Sequence, residues 1–329
     1  MREWLIAADD RTGAFEVAAL FAEVVGPVTV TVGEAPSGEG VVDLASRALP
    51  TDEAARRAAS VDASPSRWTA HKIDSTLRGN WAAEVLARQA ANGRRLVVLP
   101  AWPALGRTCV GGVVHAHGEA VGSVPAHLPQ AALLASGDEL TRWLRSSGGI
   151  AVCDVPDTPT MVALARLLAS VDGVMVAAPA GPLGALFAAR AAPGPAQPRP
   201  VIERPAMVVC GSANAVSREQ VRRVRLACPD VVVVSAPDAG GPLHVGVARA
   251  LAGSAQAAMA HGRPATVVIL GGDTAAALLG DGPRAVGGTV APGMPWSRDT
   301  DGGGPLVITK AGGFGGPDAL VELLGGRAG

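Results

Sequence analysis

The chain has 329 residues, 48% of them hydrophobic and 17% charged, with a net charge of −1. Such a chain can bury a large core without disulfides, and its length favours two domains over one. The charge divides as −2 before residue 200 and +1 after it, which excludes the basic bias of a nucleic-acid binder. No apolar run approaches the roughly 18 residues that a membrane-spanning helix needs.

The first expected strand is WLIAA (4–8), followed at once by Ala8-Asp9-Asp10-Arg11-Thr12-Gly13 and a helical pattern. No signal-peptide apolar stretch fits around those two Asp. The four Cys (Cys109, Cys153, Cys210, Cys228) show no metal spacing, so reduced thiols in the cytoplasm are expected. One Asp suffices to cap a helix, so a second beside it points to a ligand or a metal ion. Strands are expected next at 28–32, 41–44 and 68–73. The last runs into KIDSTLRGN (72–80), which concentrates Lys72, Asp74, Ser75, Thr76 and Arg78. Ser75 or Thr76 suits the cap of a helix beginning near Gly79, while the density of donors suits an anion, with Arg able to hold it bidentately.

Further on, helical patterns at 81–91, 138–147 and 159–170 alternate with strands expected at 96–99, 150–153 and 174–178. After LVVLP comes PAWPALGRTCVGG (100–112), a stiff turn expected to aim Arg107 and Thr108 in one direction. His115 and His117 alternate, so on a strand they would share a face, but no third metal ligand accompanies them. The proline-rich AAPGPAQPRP (191–200) reads as a connector, giving domains at 1–192 and 204–329 with a linker at 193–203.

The second half reads as strands at 207–210, 231–235, 266–270 and 305–309, each followed by a helix. Continuous apolar strands alternating with helices imply an α/β fold of two domains, each a mostly parallel sheet flanked by helices, with ligands expected in a crevice between them at the strands' carboxyl ends. Gly211-Ser212-Ala213-Asn214, Gly271-Gly272-Asp273-Thr274, Pro292-Gly293-Met294-Pro295 and Lys310-Ala311-Gly312-Gly313-Phe314-Gly315 form four Gly-rich turns in this half. They suit a phosphate cradle but match neither the Walker pattern nor GxGxxG. Only two of the 28 basic residues are Lys, Lys72 and Lys310, and a Lys that persists among so many Arg suits a place where a compact ammonium is needed.

In ADDRTGA (8–14), KIDSTLRGN, PAWPALGRTCVGG, CGSANAVS (210–217), GGDTA (271–275), PGMP (292–295) and KAGGFG (310–315) the chain resembles the four-carbon acid sugar kinases. The resemblance spans nearly the whole chain. It implies an N-terminal domain for the acid sugar, a C-terminal domain for ATP, and phosphorylation of the terminal hydroxyl of threonate, erythronate or a 3-oxo-tetronate with ATP and Mg²⁺. It places Asp9, Asp10, Lys72, Asp74, Ser75, Arg78 and Arg107 in the substrate site. It places Ser212, Asn214, Gly271, Gly272, Asp273, Thr274, Gly293, Lys310 and Gly312 around ATP. Asp10 or Asp273 would take the hydroxyl proton. The family usually has Leu where Arg11 stands, and Asn214, Ala311 and Gly313 also depart from its pattern.

The partner implied is a small acid sugar, with no nucleic acid and no membrane, and a homodimer is allowed. A kinase of another small hydroxy acid is the nearest alternative. The departures motivate another, a nucleotide- or metabolite-binding sensor that has lost catalysis. A nicotinamide-dependent oxidoreductase would share the α/β pattern but lacks its fingerprint here.

Overall fold

A computed structural model describes residues 2–146, 148–195, 197–236, 245–311 and 313–326. The chain forms two compact units, Met1–Pro195 and Ala196–Gly329.

In chain order the first unit runs β1 (Arg2–Ala8), α1 (Arg11–Val25), β2 (Val28–Val32), β3 (Gly40–Asp43), α2 (Thr51–Ser60), β4 (Ser66–Lys72), α3 (Trp81–Asn92) and β5 (Arg95–Val98). It continues through β6 (Arg107–Val110), β7 (Val113–Ala116), β8 (Glu119–Ser123), α4 (Val124–His127), β9 (Ala132–Leu134), α5 (Gly137–Leu144), β10 (Ile150–Cys153), α6 (Thr158–Ala169), β11 (Val174–Ala178) and α7 (Ala180–Arg190). The main sheet has the order β2-β3-β1-β4-β11-β5-β10-β9, with every neighbouring pair parallel. Its strands are apolar on both faces because helices cover both. On one face Trp4 and Trp68 meet Phe21 of α1 and Phe187 of α7, whose rings stack at 3.7 Å. On the other, Leu5, Ala7 and Val42 pack against Ala58 of α2.

Two expectations about 100–117 are overturned. Residues 107–123 form a separate antiparallel sheet, β6-β7-β8, of short half-exposed strands that no continuous apolar run announces. Arg107 and Thr108 are successive residues of β6 and therefore point to opposite faces rather than one way. His115 lies on β7, but His117 is outside it in a turn with φ 51°, so the two share no strand face.

The second unit runs β12 (Ala206–Cys210), α8 (Ala215–Ala227), β13 (Val232–Ser235), α9 (Val245–Gly262), β14 (Thr266–Leu270), α10 (Gly272–Leu279), β15 (Arg284–Ala291), β16 (Met294–Asp299), β17 (Leu306–Lys310) and α11 (Ala319–Leu323). Parallel strands in the order β13-β12-β14-β17 are extended by antiparallel β16 and β15. Alternate residues feed two cores. Val208, Val268 and Ile308 pack under α8 and α11, while Met207, Val267 and Ile269 pack under α9 and α10. Pro292 and Gly293 turn out to be the bend of the β15–β16 hairpin, a pair of strands hidden in the sequence by the glycines of β15. Gly287 lacks a side chain because the Trp296 ring fills that space; an added Cβ would stand 2.1 Å from it. Among the described residues no helix is long and apolar enough to cross a membrane.

Candidate functional site

In the first unit Ala8, Asp43 and Lys72 lie level at the carboxyl ends of β1, β3 and β4. The segments that follow, 9–11, 44–47 and 73–78, therefore emerge side by side at one end of the sheet, where ligands of α/β sheets usually bind. Asp10 is the N-cap of α1, accepting from the Gly13 N–H at 2.9 Å.

The centre of this cluster is Arg47. Its Nε and Nη2 donate to the two oxygens of Asp9 at 2.7 and 2.9 Å. Its Nη1 and Nη2 reach the two oxygens of Asp10 at 2.9 and 3.1 Å, and Nη2 lies 3.6 Å from Asp74. One planar fork thus ties three carboxylates that sequence separates by up to 65 positions, a task for Arg rather than Lys. Burial pushes the Asp9 carboxyl up, against the pull of Arg47. Burial acts the same way on Asp10, but Arg47 and Lys72 beside it outweigh it and hold that carboxyl low.

Asp74 accepts from the Thr76 backbone and hydroxyl at 2.9 and 2.5 Å, and from Arg78 Nε and Nη2 at 3.1 and 2.7 Å. Its burial would raise it, yet Arg78, Arg47 and Thr76 leave its carboxyl far below the usual range. Neither Ser75 nor Thr76 caps a helix. The helix starts at Trp81 instead, and Asn80 before it donates to the carbonyls of Ser46 and Leu49, tying this loop to the Arg47 segment. Gly79 has φ +83°, and an added Cβ would stand 3.2 Å from Asp9, so only glycine suits this passage.

Arg78 is the outward cation, its side chain 69% exposed. Lys72 is buried at the end of β4, its ammonium 3.9 Å from Glu16 of α1. A Cβ at Gly13 would lie 2.7 Å from that ammonium, so the glycine makes its room. Ser75 is half-buried at the rim. Arg107 has other partners: Nη1 donates to the Leu105 carbonyl and lies 3.4 Å from His117. The structure therefore brings together Asp9, Asp10, Lys72, Asp74 and Arg78, and it adds Arg47 and Glu16, which sequence reasoning passed over. The signal for Arg47 was its place just past an expected strand, but only the strand order shows which loops it joins.

In the second unit Cys210, Leu270 and Lys310 lie level at the ends of β12, β14 and β17. The Gly-rich turns that follow converge there. Gly271 has φ +110° and precedes α10 with no side-chain cap, and an added Cβ would stand 3.3 Å from the Ser212 nitrogen. The first-turn N–H groups of α10 are thus left to a ligand or solvent, beside Gly272, exposed Asp273 and buried Thr274.

Asn214 caps α8 by accepting from Val216 N–H at 2.9 Å, and its own N–H donates to Ser212 Oγ at 3.2 Å. Gly293 abuts the Phe314 ring, where a Cβ would stand 2.2 Å away. Gln220, also unforeseen, holds the 314–316 loop through its side-chain amide, which donates to the carbonyls of Phe314 and Gly316 at 3.1 and 2.7 Å. Lys310 is fully buried, 3.5 Å from the Ser217 hydroxyl and 3.2 Å from the Ala311 carbonyl, and burial lowers its ammonium to about 8. Gly312 lies outside the described residues. Among the described residues no group of three His, Cys, Asp or Glu is placed to hold a metal ion.

The sugar-binding N-terminal domain family matches residues 4–133, and the nucleotide-binding C-terminal domain family matches residues 232–320. A D-threonate kinase from Cupriavidus necator is 32% identical over 268 residues, 68% of this chain and 63% of that protein's length. A D-threonate kinase from Bordetella bronchiseptica is 29% identical over 96% of this chain and 95% of its own. The chain belongs to the four-carbon acid sugar kinase family.

The chain thus spans just under two thirds of the Cupriavidus kinase. Solved structures extend the likeness of fold to the whole chain. A Salmonella typhimurium LT2 protein carrying a tRNA synthase name superposes with a TM-score of 0.75 at 18% identity, covering 95% of this chain and 97% of its own. A Haemophilus influenzae protein does so with 0.70 at 20%, covering 98% and 99%. A third structure, from Bordetella bronchiseptica, was solved as a domain-swapped dimer with bound citrate; it has a TM-score of 0.50 at 24% identity, covering 97% and 96%. The sugar-binding match contains the Arg47 cluster, and the nucleotide-binding match contains the turns at 271–274, 292–295 and 310–315.

Proposed function

We propose that the protein transfers the γ-phosphoryl group of ATP, with Mg²⁺, to the terminal hydroxyl of a four-carbon sugar acid: threonate, erythronate or a 3-oxo-tetronate. The observation that carries this reading is the cluster of Asp9, Asp10 and Asp74 around Arg47, flanked by Lys72 and the exposed Arg78. Arg47 already balances the buried carboxylates, so the cations with donors left for a ligand are Lys72 and Arg78. A small ligand with one carboxylate and several hydroxyls suits that set, and the D-threonate kinase names of the relatives support it. Arg78 takes the substrate carboxylate, with Arg107 as a second cation for it, Lys72 draws the hydroxyl end, and Asp9, Asp10, Asp74 and Ser75 line the site.

Phosphoryl transfer depends on positioning and charge neutralisation more than on covalent help. The turns at Ser212–Asn214 and Gly271–Thr274 offer backbone N–H groups to phosphates, Gly293 lets the backbone approach, and Lys310 adds a positive charge. Magnesium binds through few protein carboxylates and mostly through phosphates. Exposed Asp273 at the start of α10 suits that single protein contact. A second copy of the chain is part of the proposal as an assembly partner, supported by the domain-swapped Bordetella protein.

The test is ADP release on a panel of tetronates and pentonates. At least one tetronate is expected to be turned over, and Arg78→Ala, which removes a 69% exposed side chain, is expected to lose that turnover at least about tenfold while the protein stays folded. Equal rates in that variant, or turnover of pentonates alone, would count against the proposal.

A further inference from the structure

We propose that Glu16 accepts the proton of the substrate hydroxyl as it attacks the γ-phosphorus. The proposal rests on the kinase reading above and deepens it. As the hydroxyl oxygen bonds to phosphorus, its O–H bond breaks and the proton passes to a Glu16 carboxylate oxygen. The bond from phosphorus to the bridging oxygen of ADP breaks, and its electron pair leaves with ADP. Glu16 then returns the proton to solvent.

The cluster contains four carboxylates, and three have their oxygens committed. Asp9 accepts twice from Arg47. Asp10 accepts from Thr12, the Gly13 N–H and twice from Arg47. Asp74 accepts from Thr76 and Arg78. Oxygens so committed are not placed to accept the hydroxyl of a substrate. Among the described residues no donor lies within hydrogen-bond distance of the Glu16 carboxylate, whose partner is the Lys72 ammonium at ion-pair distance, 3.9 Å.

Glu16 sits three residues after Gly13 on α1, on the same helix face, and that face is the one cleared for Lys72. Lys72 thus marks where the attacking hydroxyl is drawn, and Glu16 stands next to it. The Glu16 side chain keeps 16% of its surface exposed, a route for the proton to leave. The charged groups facing it are Lys72 and Arg47, which lower its carboxyl, and Asp10 and Asp74, which raise it. Burial is the largest influence, and the net result is upward, toward the range a base needs near neutral pH.

The experiment measures kcat and KM against pH for wild type, Glu16→Gln and Glu16→Asp on the acid that wild type turns over, with a thermal melt to check folding. Glu16→Gln is expected to lower kcat about 10²- to 10⁴-fold, to leave KM for the acid nearly unchanged, and to erase the acidic limb of the profile. Glu16→Asp keeps that limb with a reduced kcat, and it carries the test by itself if the Gln variant does not fold. A Gln variant that keeps kcat and the acidic limb overturns the proposal. So does one that only raises KM, which would make Glu16 a positioning residue for Lys72. Wild type that turns over no acid on the panel overturns the kinase reading itself, a result separable from the others because it appears before any variant is made.

Discussion

Arg47→Ala is expected to abolish turnover and to destabilise the first unit by about 3–5 kcal/mol, the cost of leaving buried charges without their partner. Asp9 is completely buried, and its two oxygens accept from Arg47. Without that fork, Asp9 and Asp10 become adjacent like charges, with Lys72 the cation left beside them. The folded state would then hold Asp9 protonated to higher pH than the unfolded chain does. A group whose folded pKa is raised binds more protons in the folded state, so stability falls as pH rises through that window. The deficit of the variant is therefore expected to widen as pH rises above the ordinary carboxylate range. Arg47→Lys keeps one charge but cannot span three carboxylates, so it should recover part of the stability and little of the activity. Urea denaturation at several pH values together with ADP release checks both arms. A variant as stable and active as wild type would show that the cluster does not depend on Arg47.

Arg11→Leu is expected to cost a similar amount, about 3–5 kcal/mol, although the family resemblance leads to an expectation of Leu there. In this chain Arg11 is buried, and its Nε donates to Asp43 at 2.7 Å, with both side chains almost fully enclosed. Asp43 in turn accepts from the Ala45 N–H at 2.9 Å, and burial pushes its carboxyl up against the pull of Arg11. Leucine would leave that carboxylate enclosed without its counter-charge. Arg11→Leu combined with Asp43→Asn, which keeps an acceptor for Ala45, should regain more than half of the loss. Thermal melts of the single and double variants decide it, and a stable single variant would mean that Asp43 folds protonated at no cost.

Much of the framework was legible in the sequence because parallel strands covered on both faces are written as unbroken apolar runs. MVVC, TVVIL and PLVIT appear as β12, β14 and β17 at nearly the expected positions. The β6-β7-β8 sheet and the β15–β16 hairpin were not legible, since short half-exposed strands and a glycine pair under Trp296 leave no such run. The candidate site was legible as motifs but not as a network. Asp9, Asp10 and Asp74 each stand out by local composition, whereas Arg47 in an ordinary Ser-Arg-Ala stretch matters only because β3 lies beside β1. Glu16 reads as a plain helix residue until Gly13 and Lys72 are seen across from it. Arg107, expected in the site from its rigid loop, has its observed partners in the flanking turns, at Leu105 and His117.

The assignment of acid sugar to the first unit and nucleotide to the second is open to one direct measurement: titration calorimetry of wild type and Arg78→Ala, with D-threonate and, separately, with a non-hydrolysable ATP analogue and magnesium. Loss of a charge-assisted contact is worth about 1.5–3 kcal/mol, so the variant should bind the acid about 10- to 150-fold more weakly and the nucleotide as tightly as wild type. Unchanged acid affinity, or a matching loss of nucleotide affinity, would contradict it.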